Sequence, residues 1–137
     1  MLAVESLVEY SAKEIDEFSK NLSKFENKKN FERSGLFLSA LVNMSPDNNI
    51  TLNIGNIGSK INYIGFRNKK ILIINGDCGD FTGLDMNGGE LRVNGRIKSL
   101  GRVLNGKIYR KNKMVYPGWT RWIKQKLKKL LIKFGQK

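Results

Sequence analysis

At 137 residues, 40% of them apolar, the chain is long enough for one domain with a small core. One cysteine and no histidine exclude a disulfide framework within the chain, histidine-based acid–base chemistry and a zinc site built from the usual ligands. The net charge of +13 is segregated: residues 1–90 hold ten Lys/Arg and twelve Asp/Glu, whereas residues 91–137 hold fifteen Lys/Arg and no acid, which points to an anionic partner at that end.

Residues 1–10 read as coil or a short strand. With Glu5 and Glu9 and no basic n-region they do not resemble a secretory signal. No apolar run approaches the roughly 20 residues that span a bilayer. The expected location is cytoplasmic, with peripheral attachment to the inner membrane face as a variant. Ser11-Ala12-Lys13-Glu14 has the pattern of a capping box, and Ile15, Phe18, Leu22 and Phe25 follow at helical spacing. The polar run from Asn27 to Asn30 breaks that period. A second helix is predicted over residues 31–44, with Leu36, Phe37, Ala40, Leu41 and Met44 on one face and Gly35 opposing it by about 1 kcal/mol. Ser45-Pro46-Asp47-Asn48-Asn49 is a turn cluster. Residues 1–49 are thus expected to form an N-terminal helical cap.

From Ile50 the apolar period changes from 3.6 to 2, and residues 50–118 carry a repeat. Gly65, Gly83 and Gly101 lie eighteen residues apart, and each is followed by a short alternating strand: Leu72-Ile73-Ile74, Leu91-Arg92-Val93 and Ile108-Tyr109-Arg110. Gly76, Gly95 and Asn112 follow the strands, then Cys78, Ile97 and Met114. Tyr63, Phe81 and Ser99 stand two before the anchor glycines, and residues 50–54 look like an incomplete first copy. Such a period with glycine corners predicts stacked rungs about 4.8 Å apart, a parallel β-helix of about three to four rungs. Leu72/Leu91/Ile108, Ile74/Val93 and Cys78/Ile97/Met114 would be its internal ladders, and glycines would supply positive φ at corners. The competing fold is an antiparallel meander or small barrel, which gives no reason for the period.

The runs Gly76-Asp77-Cys78-Gly79-Asp80-Phe81-Thr82-Gly83 and Met86-Asn87-Gly88-Gly89-Glu90-Leu91-Arg92-Val93-Asn94-Gly95 resemble the glycine-rich repeat of the GXGXG family. That family includes the C-terminal domain of the glutamate synthase large subunit and one of the subunits of formylmethanofuran dehydrogenase. The resemblance is specific over this one repeat and weaker over residues 50–75 and 96–116. It does not extend to the N-terminal helices or the basic tail. Lys69-Lys70 replace the paired glycines, and Ser99-Leu100 replace the aspartate–aromatic pair. The resemblance implies a right-handed parallel β-helix that acts as a scaffold within a larger enzyme complex and carries no catalytic groups itself.

Several residues invite a chemical reading. Cys78 could be a reactive thiol, but its place in a ladder favours a small inward hydrophobe. Asp77, Asp80 and Asp85 could suggest calcium, but the repeat-toxin nonapeptide is missing and corner hydrogen bonding is favoured. No phosphate-loop lysine follows the glycines, no serine has a base partner, and no cofactor or small-molecule substrate is implied.

Residues 119–137 predict a basic amphipathic helix, about sixteen residues of which would span about 24 Å. Trp119, Trp122, Ile123, Leu127, Leu130, Leu131 and Phe134 form its stripe. Arg121, Lys124, Lys128 and Lys129 lie away from that stripe, with Lys126 and Lys133 on its flanks. The stripe could cap the second end of the coil, or it could project to a partner. The candidate partner-binding residues are Trp119, Arg121, Trp122, Lys124, Lys126, Lys128, Lys129 and Lys133. Arg92, Arg96, Lys98 and Arg102 are further candidate anion-binding residues. The expected function is a non-catalytic scaffold or docking module that binds a protein partner. The alternatives are an accessory subunit of an oxidoreductase complex, or attachment to an anionic membrane surface or to nucleic acid.

Overall fold

The computed structural model describes residues 9–118 and 126–132. The chain is mainly β, a short parallel β-solenoid with helices at both ends of the sequence. The order is α1 (Ala12–Lys20), α2 (Ser34–Met44), β1 (Asn49–Gly55), β2 (Ile71–Gly76), β3 (Asn87–Val93), β4 (Asn105–Arg110) and β5 (Lys113–Tyr116). A helical segment at residues 126–132, here α3, follows. Single-turn 3-10 segments occupy Leu22–Phe25, Phe31–Arg33 and Asn56–Lys60.

Strands β1 to β4 stack in parallel in chain order, and β5 folds back antiparallel onto β4. Parallel neighbours require a crossover, and here each crossover is one turn of the coil. Each turn adds two shorter sides, marked by the parallel bridges Cys78–Ile97 and Thr82–Leu100. The inward columns are Ile50/Leu72/Leu91/Ile108 and Leu52/Ile74/Val93, all buried. Both were expected, and β1 extends each by one member, so the supposed incomplete copy is a full strand. Tyr63 and Phe81 stack outside, with ring centroids 5.2 Å apart.

The turns are not equal. In the column order Ile50, Leu72, Leu91, Ile108 the spacing shortens from 22 to 19 to 17 residues. The first turn absorbs its surplus in the 3-10 segment Asn56–Lys60. In the last, β3 and β4 shift register between Asn87 and Glu90, so that two glycines face one. The anchor glycines also differ in role. Gly65 and Gly83 have φ of +80° and +76°, whereas Gly101 lies outside the left-handed region and is needed because a Cβ there would sit 2.6 Å from the backbone of Leu84.

Two expectations need correction. Met114 does not continue the Cys78–Ile97 ladder. Lys111 and Asn112, with φ of 49° and 67°, form a tight hairpin turn, so Met114 pairs with Tyr109 on β5 and is exposed. The buried face of α2 is Gly35, Leu38, Ser39, Leu41 and Val42, while Leu36 and Phe37 are exposed. The reason is close approach: a Cβ on Gly35 would lie 1.9 Å from the Asn62 carbonyl oxygen. Small residues let α2 sit directly on the first turn.

Both N-terminal helices seal that end of the coil. α1 begins at a capping box of Ser11 and Glu14 and lies along β1. Ser19 Oγ accepts from the Asn53 amide at 2.9 Å, and Asn53 Nδ2 donates to Asp16. Ser39 Oγ accepts from the Phe66 amide at 3.1 Å and shares its proton between the carbonyls of Gly35 (2.6 Å) and Tyr63 (3.1 Å). The Asn62 amide donates to the Glu32 carbonyl, and Asn43 Nδ2 to the Phe66 carbonyl. Part of the exposed edge of a stacked coil is thereby satisfied, from helix side chains and the Glu32 carbonyl.

Replacing Gly35 by Ala raises helix propensity by about 1 kcal/mol, yet the clash with fixed backbone should destabilise the fold by a net of about 2 kcal/mol. Urea unfolding measures this, and a stabilised variant would contradict the close packing of α2 on the coil.

Candidate interaction surface

The basic half of the sequence divides in space into two parts. In the first, cations stack on acids one turn earlier. Asp80 Oδ2 lies 3.6 Å from Lys98 Nζ, and Asp85 Oδ1 lies 3.3 Å from Arg102 Nη2. Arg92 Nε bonds Glu90 at 3.0 Å and its guanidinium covers the Tyr109 ring at 4.5 Å. Asp77 Oδ1 accepts from the Arg96 backbone amide at 2.8 Å. A sequence offset close to one turn therefore places Asp80 against Lys98 and Asp85 against Arg102, while Glu90 and Arg92 pair within β3. Of the four candidate anion-binding residues, Arg92, Lys98 and Arg102 already face carboxylates; the Arg96 side chain is exposed. Such exposed pairs stabilise by about 0–1 kcal/mol each and mainly fix register.

In the second part, beyond Arg102, the chain supplies no acid. Lys107, Arg110, Lys111 and Lys113 are exposed on β4, its hairpin turn and β5. α3 adds Lys126, Lys128 and Lys129, all exposed. Its apolar residues are also uncovered: Leu127 is 52% exposed, Leu130 51%, Leu131 70% and Ile132 53%. This stretch of the tail therefore does not cap the coil. Trp119, Arg121, Trp122, Lys124 and Lys133 lie outside the described residues.

Among the described residues, the C-terminal end of the coil is only partly closed. β5 covers β4, and Tyr116 Oη donates to the Val103 carbonyl at 3.2 Å. Beside this hairpin lies an apolar groove of about 210 Å³ lined by Ile97, Ser99, Leu100, Arg110 and Val115. Leu100 in its lining is exposed, as is Leu104 in a separate groove beside Asp85 and Arg102.

The acidic corner residues act as hydrogen-bond acceptors between turns. Asp80 Oδ1 accepts from Ser99 Oγ at 2.9 Å, as Asp77 does from the Arg96 amide. Among the described residues no group of three His, Cys, Asp or Glu is placed to hold a metal ion, and no helix is long and apolar enough to cross a membrane. An asparagine ladder, absent from the sequence reading, links three turns: Asn75 Nδ2 donates to Asn53 Oδ1 at 2.9 Å and Asn94 Nδ2 to Asn75 Oδ1 at 2.8 Å. The Asn-Gly pairs at 75–76 and 94–95 were its visible signal.

No protein-family model, curated protein or solved structure matches the chain. The functional reading therefore rests on the chain's own geometry.

Cys78 is buried in the core, where it pairs across turns with Ile97. Burial pushes its thiol up from 9.0 to about 12, against the lowering effect of a hydrogen bond with Thr82, with a smaller raising contribution from Asp77. A thiol so placed is a poor nucleophile. Because the folded-state value is the higher one, the unfolded chain ionises first and stability falls as pH rises above about 9. Between about pH 9 and about pH 10 this group alone should remove about 1 kcal/mol. Cys78→Ala should lack that increment when urea unfolding of the two proteins is compared across the interval. An equal alkaline slope in both would contradict the buried, neutral thiol.

Proposed function

We propose that the chain is a docking module that carries out no chemistry of its own: a rigid parallel coil that presents a basic amphipathic helix to an acidic protein partner. The observation that carries this reading is α3 itself, with Leu127, Leu130 and Leu131 at least half exposed beside Lys128 and Lys129. Burying each such leucine on a partner is worth about 1.5–3 kcal/mol, and the lysines favour a groove rimmed by carboxylates. The uncompensated cations of the last turn, Lys107, Arg110, Lys111 and Lys113, extend the basic surface beyond the helix. They would speed encounter with an acidic partner more than they tighten the complex.

A second reading, attachment to an anionic membrane, draws support from Ile132. It widens the uncovered apolar arc of α3 toward its lysine face, as suits shallow insertion at a headgroup layer. The resemblance of residues 76–95 to the GXGXG family supports looking for the protein partner among the components of oxidoreductase complexes. Nucleic acid suits the charge alone.

Because α3 is uncovered, deleting residues 126–137 should leave the thermal transition within about 3 °C of the full chain. The same full chain, titrated in parallel with polyglutamate, phosphatidylserine vesicles and single-stranded RNA, should bind polyglutamate in a salt-sensitive manner. Lys128→Glu with Lys129→Glu should weaken that binding about tenfold. Binding to the vesicles alone would replace the protein partner with a membrane. Loss of folding on deletion would contradict the docking role of the helix.

A further inference from the structure

The two ends of the coil are finished differently, and the difference leaves a specific set of backbone groups unused. In a parallel pair, a residue bridged to its neighbour is flanked by the groups that bond to it, and its own N–H and C=O point the other way. At the Cys78–Ile97 bridge, the Cys78 amide donates to the Arg96 carbonyl at 2.8 Å and the Lys98 amide to the Cys78 carbonyl at 3.0 Å. At the Thr82–Leu100 bridge, the Thr82 amide donates to the Ser99 carbonyl at 3.1 Å and the Gly101 amide to the Thr82 carbonyl at 2.8 Å. The N–H and C=O of Ile97 and Leu100 therefore face the open end. Among the described residues neither amide has a backbone acceptor outside the regular elements. At the N-terminal end the corresponding outward amides, such as those of Asn53 and Phe66, are taken up by Ser19 and Ser39.

We infer that this edge, uncovered among the described residues, is an acceptor site for an acidic and apolar segment of a partner protein, which would add to the last turn as a further rung that bends at the corner between Ile97 and Leu100. Three features converge there. The N–H and C=O groups of Ile97 and Leu100, on adjacent short sides and unbonded among the described residues, offer main-chain pairing. The groove of about 210 Å³ between Ile97, Leu100 and Val115 accepts an apolar side chain. The rim is basic, with Arg96 and Arg110 exposed and Lys98 nearby. Strand addition gives affinity through the main chain and specificity through alternate side chains, so apolar residues facing the groove should alternate with acidic ones facing the rim.

Charge decides between occupants. A second copy meeting end to end would set Arg96, Arg110, Lys111 and Lys113 against the same cations, at a cost in free energy. α3 of the same chain brings Lys128 and Lys129 to a basic rim and has its apolar residues uncovered. An acidic strand relieves both the charge and the unpaired edge. The site is separate from α3, so it stands or falls apart from the docking role of that helix.

The test is fluorescence anisotropy with the full chain and three labelled short peptides: alternating Glu and Val, the same peptide N-methylated at alternate amides, and alternating Lys and Val. The Glu–Val peptide should bind, and N-methylation should weaken it about tenfold by removing donors to the Ile97 and Leu100 carbonyls. Leu100→Asp and Arg96→Glu, both at exposed positions, should each weaken it to a similar degree, with folding checked by circular dichroism. In a Lys128→Gln, Lys129→Gln background, which removes binding through α3, the effects of N-methylation and of Leu100→Asp should persist. No binding of the Glu–Val peptide, equal binding of the Lys–Val peptide, or indifference to N-methylation would overturn the site. So would a stable dimer of the free chain that Arg96→Glu leaves intact.

Discussion

A coil of stacked strands has no trouble in its middle and two problems at its ends. Every inner turn hands its amides and carbonyls to the turns above and below, so the backbone of β2 and β3 is satisfied by the stacking that buries Leu72 and Leu91. The first and last turns each lack one neighbour. The rest of this structure follows from how that deficit is met. At the first turn two serines, one aspartate and one asparagine on α1 and α2 supply the missing partners, and Gly35 lets the second helix come close enough to do so. At the last turn, among the described residues, only β4 receives a neighbouring strand, the returning β5.

Much of the coil was legible because its physics is local and periodic. Alternation picks out Leu72, Ile74, Leu91 and Val93 as inward, and the recurrence of glycine sets the approximate turn length. What the pattern could not carry were interactions between elements far apart in sequence. Asn112 occupies the slot of Gly76 and Gly95, yet its left-handed backbone turns the chain back into a hairpin, and Met114 leaves the core. Residue type alone does not separate a corner from a reversal when asparagine tolerates both. The buried face of α2 was misplaced for a related reason. Leu36 and Phe37 weigh heavily in a periodic pattern, but Gly35 and Ser39 permit the closest approach, and the helix rotates to use them.

The charge distribution teaches the same lesson in the candidate site. Along the sequence the acids stop at Glu90 and the cations dominate after it. In space a shift of about one turn lays Lys98 on Asp80 and Arg102 on Asp85, and the apparent segregation is partly cancelled. The basic surface that remains is smaller and better defined: β4, its hairpin turn, β5 and α3. Its part on β4, the hairpin turn and β5 lies at the end of the coil that the described residues leave incompletely closed, so unpaired backbone, an apolar groove and uncompensated charge meet there. Each of these is costly in isolation, and a partner with the opposite properties offsets all of them together.

The central claim is that one end is sealed and the other open in the isolated chain. Native-state amide hydrogen exchange of the full chain, read residue by residue by NMR, tests it most directly. The account predicts strong protection of the Asn53 and Phe66 amides and rapid exchange at Ile97 and Leu100. Protection of Ile97 and Leu100 comparable to that of Asn53 in the free monomer would contradict it, because the end of the coil would then already be covered.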